Sequence, residues 1–342
     1  MFKLLPLFET VKARVRPPVV VVLGSPHQAT DLCALGDTET VCYQLDHHQA
    51  GRLRQNLREL GLTTTVEVLP DLWDLPARFN TALLPNPAHG ERELKLDMLE
   101  QSYHVLTQRG LLISLSEYEG DQVLPKWHKK VFGKCSELPA SRDGMVFWSA
   151  RDGDRPRRRH ELTFRAKVLA GPTHAFVSRP GVFGYGNLDD GARAMLDVAD
   201  VRPGDRVLDL GCGPGANGIL ATDRAGADAH VTFVDSNARA VALAEINAKE
   251  NGLTNTRFVA TADMEGLEPG SFDLILANPP YFANSWIAQM FIERSKPLLR
   301  QGGRLYLVTK MINHVAPFMA EVFPDSTWEE RRGYHILRGD VA

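Results

Sequence analysis

Short apolar segments alternate with longer amphipathic segments along the C-terminal half of this 342-residue chain. Short runs of mostly apolar residues are typical of strands buried on both faces, whereas apolar positions spaced three and four apart indicate helices. This pattern predicts helices at 238–251 and 286–299 and strands at 206–210, 231–235, 257–259, 272–277 and 304–308. Strands that alternate with helices build a mostly parallel sheet with helices on both faces. We therefore expect an α/β domain of the Rossmann-like type.

The N-terminal half repeats this order of segments. Residues 19–24, 41–46 and 81–87 match the first, second and fourth strands of the C-terminal half. The landmark pairs keep a nearly constant separation: Gly24 and Gly211, Asp46 and Asp235, Gly61 and Gly252, Asn86 and Asn278. A long internal repeat indicates a duplicated domain. The sequence therefore predicts two tandem α/β domains, with Asp46 at the position of Asp235.

A glycine-rich turn follows the first strand of the second half and reads Asp209-Leu210-Gly211-Cys212-Gly213-Pro214-Gly215. Glycines let a backbone turn tightly and approach a ligand closely. An acid two residues before the first glycine resembles the Asp/Glu-x-Gly-x-Gly loop of methyltransferases, which holds the methionine end of S-adenosylmethionine. The glycines alone are also compatible with nicotinamide and flavin cofactors.

Acidic residues after the next two strands extend the predicted cofactor site. Asp235 ends the second strand, where a carboxylate accepts hydrogen bonds from the ribose of an adenosine or a dinucleotide. Asp263 follows the third strand, where an acid of the methyltransferase fold contacts the adenine amino group; the alternative is a loop carboxylate or a helix N-cap. The predicted cofactor-binding residues are Asp209, Gly211, Gly213, Gly215, Asp235, Ser236, Ala262, Asp263 and Asn278.

The predicted catalytic residues are Asn278, Pro279, Pro280 and Tyr281, which follow the fourth strand. Ligands of open α/β sheets bind beyond the carboxyl ends of the strands, so this loop shares a crevice with the glycine turn. It resembles the Asn-Pro-Pro-Tyr/Phe motif of methyltransferases that act on planar amines. The side-chain oxygen of Asn278 and the carbonyl of Pro279 are acceptors for the two N–H bonds of such an amine. They turn its lone pair toward the methyl group and stabilise the positive charge that grows on nitrogen, while Tyr281 is predicted to stack on the substrate.

Residues 178–184 and 188–192 lie just before the first strand of the second half. With the two loops, they resemble the bacterial ribosomal RNA guanine-N2 methyltransferases of the RsmC and RlmG type. That family has two class I methyltransferase domains with seven-stranded, mostly parallel sheets, of which only the second binds S-adenosylmethionine. The resemblance implies methyl transfer to the exocyclic N2 of a guanine in ribosomal RNA or a ribosomal subunit, with Arg179, Phe183 and Tyr281 at the substrate. The family's usual loop has Phe in place of Tyr281, so the resemblance specifies the reaction more closely than the substrate.

The two copies are predicted to differ in function. The first copy, at 1–150, has Gly24-Ser25-Pro26-His27 in place of the glycine turn, so we expect it to lack the cofactor. It then serves as a docking platform for RNA or as a scaffold for the catalytic domain at 166–342. Between them, 151–165 is predicted to be a basic linker, which either contacts RNA phosphates or is simply solvated.

Composition sets further expectations. The net charge of −3 is not the overall signature of a nucleic-acid binder, although local basic patches matter more than totals. The four cysteines form no Cys-x-x-Cys pair, so we expect neither a metal site nor disulfides, and a reduced, cytoplasmic protein. The chain has no apolar stretch long enough to span a membrane and no apparent signal peptide. We expect a monomer.

Other functions stay open at this point. N5-methylation of a protein glutamine, as in release-factor modification, fits the Asn278 loop but not the duplicated architecture. Another planar amine or a small molecule is a further possible acceptor. A non-catalytic RNA-binding or assembly protein is disfavoured by the intact glycine turn, and a nicotinamide-dependent reductase by the Asn-Pro-Pro-Tyr loop.

Overall fold

The protein is described from a computed structural model, which covers residues 4–34, 39–87, 89–139, 141–226, 228–280 and 285–342. The chain divides into two compact units, a first unit of Met1–His160 and a second unit of Glu161–Ala342. Each unit contains one seven-stranded sheet. Within the described ranges, no helix is both long and apolar enough to cross a membrane.

The first unit is a mostly parallel sheet flanked by helices. Its strands are β1 (Val19–Val22), β2 (Thr40–Gln44), β3 (Thr65–Val68), β4 (Phe79–Asn86), β5 (Leu106–Ser116), β6 (Ser136–Glu137) and β7 (Met145–Ala150). Its α-helices are α1 (Leu4–Glu9), α2 (Pro26–Ala34), α3 (His47–Glu59), α4 (Arg92–Val105) and α5 (Leu124–Phe132). The strand order is β3-β2-β1-β4-β5-β7-β6, with antiparallel pairing at β5–β7 and β6–β7.

The second unit opens with an antiparallel hairpin of β8 (Leu162–Ala166) and β9 (His174–Ser178). Its main sheet contains β10 (Arg206–Leu210), β11 (His230–Asp235), β12 (Thr256–Ala260), β13 (Phe272–Ala277), β14 (Leu299–Thr309), β15 (Thr327–Arg331) and β16 (Tyr334–Asp340). Its α-helices are α6 (Asp190–Val198), α7 (Ala216–Ala225), α8 (Ala238–Glu250), α9 (Trp286–Leu298) and α10 (Ile312–Val322).

The second sheet has the same topology as the first. Its order is β12-β11-β10-β13-β14-β16-β15, and the antiparallel strands again lie at one edge. The order reverses at β10, where β11 and β13 pair with its two sides. Ligand sites of open α/β sheets form at such a reversal. The prediction of two Rossmann-like domains with seven-stranded, mostly parallel sheets is confirmed.

Alternation along the central strands divides each core into two layers. In β13, Leu274 and Leu276 pack in one buried cluster, whereas Phe272, Ile275 and Ala277 pack in another. Successive side chains of a strand point to opposite faces, so a wholly apolar strand feeds both layers at once. This burial explains why Asp273 is the one polar residue of β13, which ends at the predicted catalytic loop.

Part of the predicted linker belongs structurally to the first unit. The guanidinium of Arg155 donates to the carbonyl oxygens of Lys130 (2.9 Å) and Val131. His160 forms a 2.7 Å contact with the carboxylate of Glu100 on α4. The division between the units follows His160, and the next residues enter strand β8 of the second unit.

Pairing registers correct landmarks of the repeat, Asp46 and Asn86 among them. Ala82 pairs with Val20 as Ile275 pairs with Leu208, so Pro85 and not Asn86 stands where Asn278 stands. Val22 pairs with Tyr43 in the first unit as Leu210 pairs with Val234 in the second. The residue after Tyr43, Gln44, therefore stands where Asp235 stands, and not Asp46. Asp46 instead caps α3, where its carboxylate accepts a 2.8 Å hydrogen bond from the backbone N–H of Gln49.

Candidate active site

The glycine turn connects β10 to α7 through left-handed backbone. Gly211, Gly213 and Gly215 have φ angles of 69°, 52° and 84°. A Cβ atom at Gly211 would lie 3.2 Å from a ring carbon of Phe291, and one at Gly215 would lie 3.0 Å from the Cβ of Ala244. Both conformation and space therefore favour glycine at Gly211 and Gly215, and the left-handed conformation favours it at Gly213.

Asp209 holds this turn from inside the core. Its side chain is fully buried and accepts hydrogen bonds from the backbone N–H of Gly218 (2.8 Å) and from Nδ2 of Asn217 (3.3 Å). Burial raises the pKa of Asp209 to about 7, the two hydrogen bonds oppose that rise, and nearby Asp235 adds to it. The carboxyl thus fixes the first turn of α7, which indicates an indirect contribution to the predicted cofactor site.

Asp235 lies at the carboxyl end of β11 and is partly exposed. One of its oxygens accepts from the backbone N–H of Gly213 and the other from that of Asn237, each at 2.9 Å. These bonds hold the carboxylate beside the glycine turn, and a carboxylate oxygen can accept more than one hydrogen bond. This geometry is compatible with the predicted ribose contact, with Ser236 next in the chain.

We expect Asp235→Ala to raise the Kd for S-adenosylmethionine by about 10- to 100-fold, because a hydrogen bond to a charged acceptor contributes about 1.5–3 kcal/mol. Calorimetric titration measures this Kd. Asp228→Ala, which removes an exposed carboxylate of the same unit, is the matched control. An unchanged Kd for Asp235→Ala would exclude a ribose contact by this side chain.

Asp263 is exposed and engaged in its own loop. Its Oδ1 accepts from the hydroxyl of Thr261 (2.8 Å) and from the backbone N–H of Glu265 (3.2 Å). The Thr261 hydrogen bond is the main reason that the pKa of Asp263 is lowered. The alternative of a loop carboxylate is therefore realised here, and the adenine contact by Asp263 and its neighbour Ala262 stays a prediction.

The predicted catalytic loop begins with a buried amide. Asn278 is 8% exposed, and its Nδ2 donates a 3.0 Å hydrogen bond to Oδ2 of Asp189. Pro279 is buried and Pro280 is exposed. Tyr281 lies outside the described residues, so its predicted stacking and catalytic roles stay predictions.

The glycine turn and Asn278 of the predicted catalytic loop line one cavity. Its described lining residues are Phe164, Phe183, Gly184, Asn187, Leu188, Asp189, Ala192, Gly211, Cys212, Gly213, Pro214, Ala216, Asn217 and Asn278. The two motifs are far apart in sequence, so this cavity is the observation that joins them. Phe183 is 44% exposed at its edge, whereas Arg179 is only 5% exposed and lies inside the unit.

Comparison with known proteins places the chain in a family. The profile of the Methyltransferase small domain matches residues 173–338. The small subunit ribosomal RNA methyltransferase C of Pseudomonas putida KT2440 is 30% identical over 71% of this chain and 73% of its own length. The chain belongs to this methyltransferase family. Membership confirms the predicted class, S-adenosylmethionine-dependent methyltransferases.

Other family members match over a smaller share of their length. The corresponding enzyme of Pseudomonas entomophila is 30% identical over 61% of this chain and 64% of its own length. The large subunit methyltransferase G of Streptomyces griseus is 34% identical over 54% of this chain, and the match spans only half of that relative.

A solved structure shares the whole architecture. The 16S rRNA N2 G1207 methyltransferase of T. thermophilus, solved with AdoMet and guanosine, superimposes with a TM-score of 0.79 at 20% identity. The superposition covers 98% of this chain and 92% of that one. This likeness supports the duplicated fold of the present chain.

The residues of the second unit fit S-adenosylmethionine. Gly211 and Gly213 line the cavity, so a ligand can lie against backbone there, and the Asp235 carboxylate stands at the next strand end. Among the residues that the structure describes, no group of three or more His, Cys, Asp or Glu could hold a metal ion.

The first unit differs from the second at the equivalent positions. Nε2 of Gln44 donates to the carbonyl oxygen of Gly24 (3.2 Å), so an amide replaces the Asp235 carboxylate. Pro85 stands at the position of Asn278, and Nδ2 of the next residue, Asn86, donates at 3.3 Å to both the hydroxyl of Ser116 and the carboxylate of Asp121. These contacts favour the prediction that the first unit works without the cofactor.

Two features of the site were not predicted from the sequence. Asp189 contacts Asn278 across 89 residues of chain, and Asn187 lines the same cavity. Asp189 lies in a segment that carries the family resemblance, which is the one sequence signal that marks it, whereas Asn187 lies just before that segment. No local pattern reveals which residue of that segment meets the catalytic amide.

Proposed function

We propose that this chain transfers a methyl group from S-adenosylmethionine to the exocyclic N2 of a guanine in ribosomal RNA. The observation that carries the proposal is the cavity shared by the glycine turn and Asn278. It combines the turn that defines this methyltransferase family with a side chain suited to a planar amine. The matched relatives are ribosomal RNA methyltransferases by name, which supports RNA as the substrate class.

Amine acceptors of this kind need orientation more than a strong base. The lone pair of an exocyclic guanine nitrogen is delocalised into the ring, so the amine is a weak nucleophile. Oδ1 of Asn278 and the carbonyl oxygen of Pro279 would accept its two N–H bonds, which holds the nitrogen in place and stabilises positive charge there. The methylated nitrogen is acidic and loses a proton to water. The bound cofactor supplies the electrophilic methyl carbon.

A methyl-transfer assay with labelled S-adenosylmethionine tests the proposal. The acceptors are naked ribosomal RNA and ribosomal subunits from cells that lack this protein, followed by nucleoside analysis. We expect N2-methylguanosine in one of them. Cofactor binding without labelled RNA would refute the proposal and favour a protein glutamine or a small molecule, for which the same loop is suited.

The first unit is proposed to dock the RNA. A cleft of this unit is lined by Glu100, Tyr103, His104, Lys130, Val131, Arg155, Pro156 and Arg158. Burial and the charges of nearby arginines lower the pKa of His104, as expected beside a concentration of positive charge. Cationic side chains neutralise phosphates without reading sequence, so this cleft suits an RNA backbone. The competing function is a scaffold.

We expect the double variant Lys130→Ala/Arg158→Ala to weaken binding of ribosomal RNA by about 3- to 10-fold. The slope of log K against log salt should become shallower by about two, about one for each phosphate contact that is lost. Titration of labelled RNA at several salt concentrations measures both. Arg52→Ala/Arg58→Ala, which removes two exposed charges of α3, is the control. Equal effects of the two double variants would favour the scaffold.

A further inference from the structure

The Asn278 amide has two ends of nearly the same shape but opposite chemistry. Its oxygen accepts hydrogen bonds, whereas its NH2 group only donates them. The proposed acceptor amine is itself a donor, so only the oxygen end can receive it. An amide turned by half a rotation would present N–H to N–H, which is repulsive. Something must therefore select one orientation of this side chain.

Asp189 provides that selection. Its Oδ2 lies 3.0 Å from Nδ2 of Asn278. An ionised carboxylate has acceptors only, so it favours the NH2 end of the amide and disfavours the oxygen end. With Nδ2 held by Asp189, Oδ1 of Asn278 is turned away from Asp189. Both residues line the cavity that contains the glycine turn.

The carboxylate is itself fixed by the fold. Asp189 is the N-cap of α6, with an extended backbone, and it accepts a 3.1 Å hydrogen bond from the backbone N–H of Ala192. Helix α6 is anchored by a buried face that includes Ala194, Met195 and Leu196. Residues on a packed helix hold their partners more tightly than residues on a loop. The Asn278 amide is therefore held in place by a residue that is itself fixed by the buried core of the second unit.

We propose that Asp189 is a positioning residue for methyl transfer, which sets the Asn278 amide with its oxygen toward the acceptor amine. The inference rests on the proposed function, because it assumes an acceptor that donates N–H bonds. Asp189 contributes to the orientation of Asn278 and is not required to touch the reacting atoms. Its contribution should therefore appear in kcat and not in the affinity for the cofactor.

Two substitutions separate this role from helix capping. Asp189→Ser keeps a good N-cap, but its hydroxyl is too short to reach Asn278. Asp189→Asn retains an acceptor but also offers an NH2 group, so both amide orientations become possible. We expect kcat to fall by about 10- to 100-fold for Asp189→Ser and by less for Asp189→Asn, since small misplacements have effects of that order. The Kd for S-adenosylmethionine and the KM for RNA should stay within about threefold.

Asp46→Ser, which changes the N-cap of α3 in the first unit, is the matched control and should leave kcat unchanged. An unaltered kcat for Asp189→Ser on an RNA that the wild type methylates would overturn the inference and leave the proposed function intact. A rise of the cofactor Kd by more than tenfold with unchanged kcat would also overturn it, because Asp189 would then be a cofactor ligand.

A second measurement does not depend on the acceptor. The side-chain NH2 signals of Asn278 are identified in a nitrogen–proton spectrum by their loss in Asn278→Ala. Removal of a charged acceptor in Asp189→Ser should shift these signals toward those of a solvated amide, and Asp46→Ser should not. Unshifted signals would overturn the inference. If no RNA is methylated by the wild type, the proposed function fails, whereas this spectrum still decides whether Asp189 holds the amide.

Discussion

Asn278→Ala is expected to lower kcat for methyl transfer by about 10²- to 10³-fold, which is the usual cost of losing one preorganised group that stabilises developing charge. The cofactor Kd should change by no more than a few fold. Asn278 is 8% exposed at the end of β13, in the cavity that the glycine turn lines. The substitution removes an acceptor for the amine without altering the turn.

The measurement is single-turnover transfer from labelled S-adenosylmethionine, combined with calorimetry of cofactor binding. Single-turnover kinetics report the chemical step apart from product release. Asn255→Ala removes an exposed asparagine of the same unit and serves as the control. Turnover equal to that of the wild type would exclude Asn278 from catalysis, and a joint loss of transfer and cofactor binding would mean that Asn278 acts through the cofactor, since it is also among the predicted cofactor-binding residues.

The fold followed from the sequence because its strands are buried on both faces. Strands such as β1 and β13 are nearly continuous apolar runs, and the order of the strands repeats in both halves. Counting residues between landmarks was less reliable. The sequence carries no signal for the last residue of a strand when only a few residues separate it from the next helix. Spacing alone therefore puts Asp46 at the position of Asp235, although Asp46 is the N-cap of α3.

The site was predicted in its motifs and only partly in its contacts. A glycine turn and an Asn-Pro-Pro loop are local patterns, and the strand ends bring them together. The direction of a carboxylate is a tertiary property. Asp209 is buried behind hydrogen bonds to α7, Asp263 bonds within its own loop, and Asp189 meets Asn278 across a long stretch of chain.

The free energy of unfolding of the second unit is expected to depend on pH through Asp209. Its pKa is about 7 in the folded chain, against an ordinary value of 3.8, chiefly because the side chain is fully buried. A raised pKa means that the folded state keeps a proton that the unfolded state releases. The contribution of Asp209 to the free energy of unfolding is therefore fully present below about pH 4 and is lost as the pH rises through about 7.

Asp209→Asn should remove this dependence, because an amide of the same shape does not ionise. Its oxygen can still accept from the backbone N–H of Gly218. Its NH2 group takes the place of the oxygen that faces Nδ2 of Asn217, so the Asn217 amide has to turn over and accept through Oδ1, which is buried without a hydrogen-bond partner in the wild type. Relative to the wild type, the variant should gain stability between pH 4 and 8, by up to about 4 kcal/mol for a difference of about three pKa units.

Denaturant unfolding at several pH values measures the effect, and the transition that S-adenosylmethionine shifts identifies the second unit. Asp263→Asn is the control. The pKa of that exposed carboxyl is lowered, so its contribution is present above its ordinary pKa and is lost only as the pH falls further. The difference in the free energy of unfolding between Asp263→Asn and the wild type should stay constant between pH 5 and 8. Parallel curves for Asp209→Asn and the wild type would mean that the buried carboxyl is already ionised at low pH, and the hydrogen bonds from Gly218 and Asn217 would then outweigh its burial.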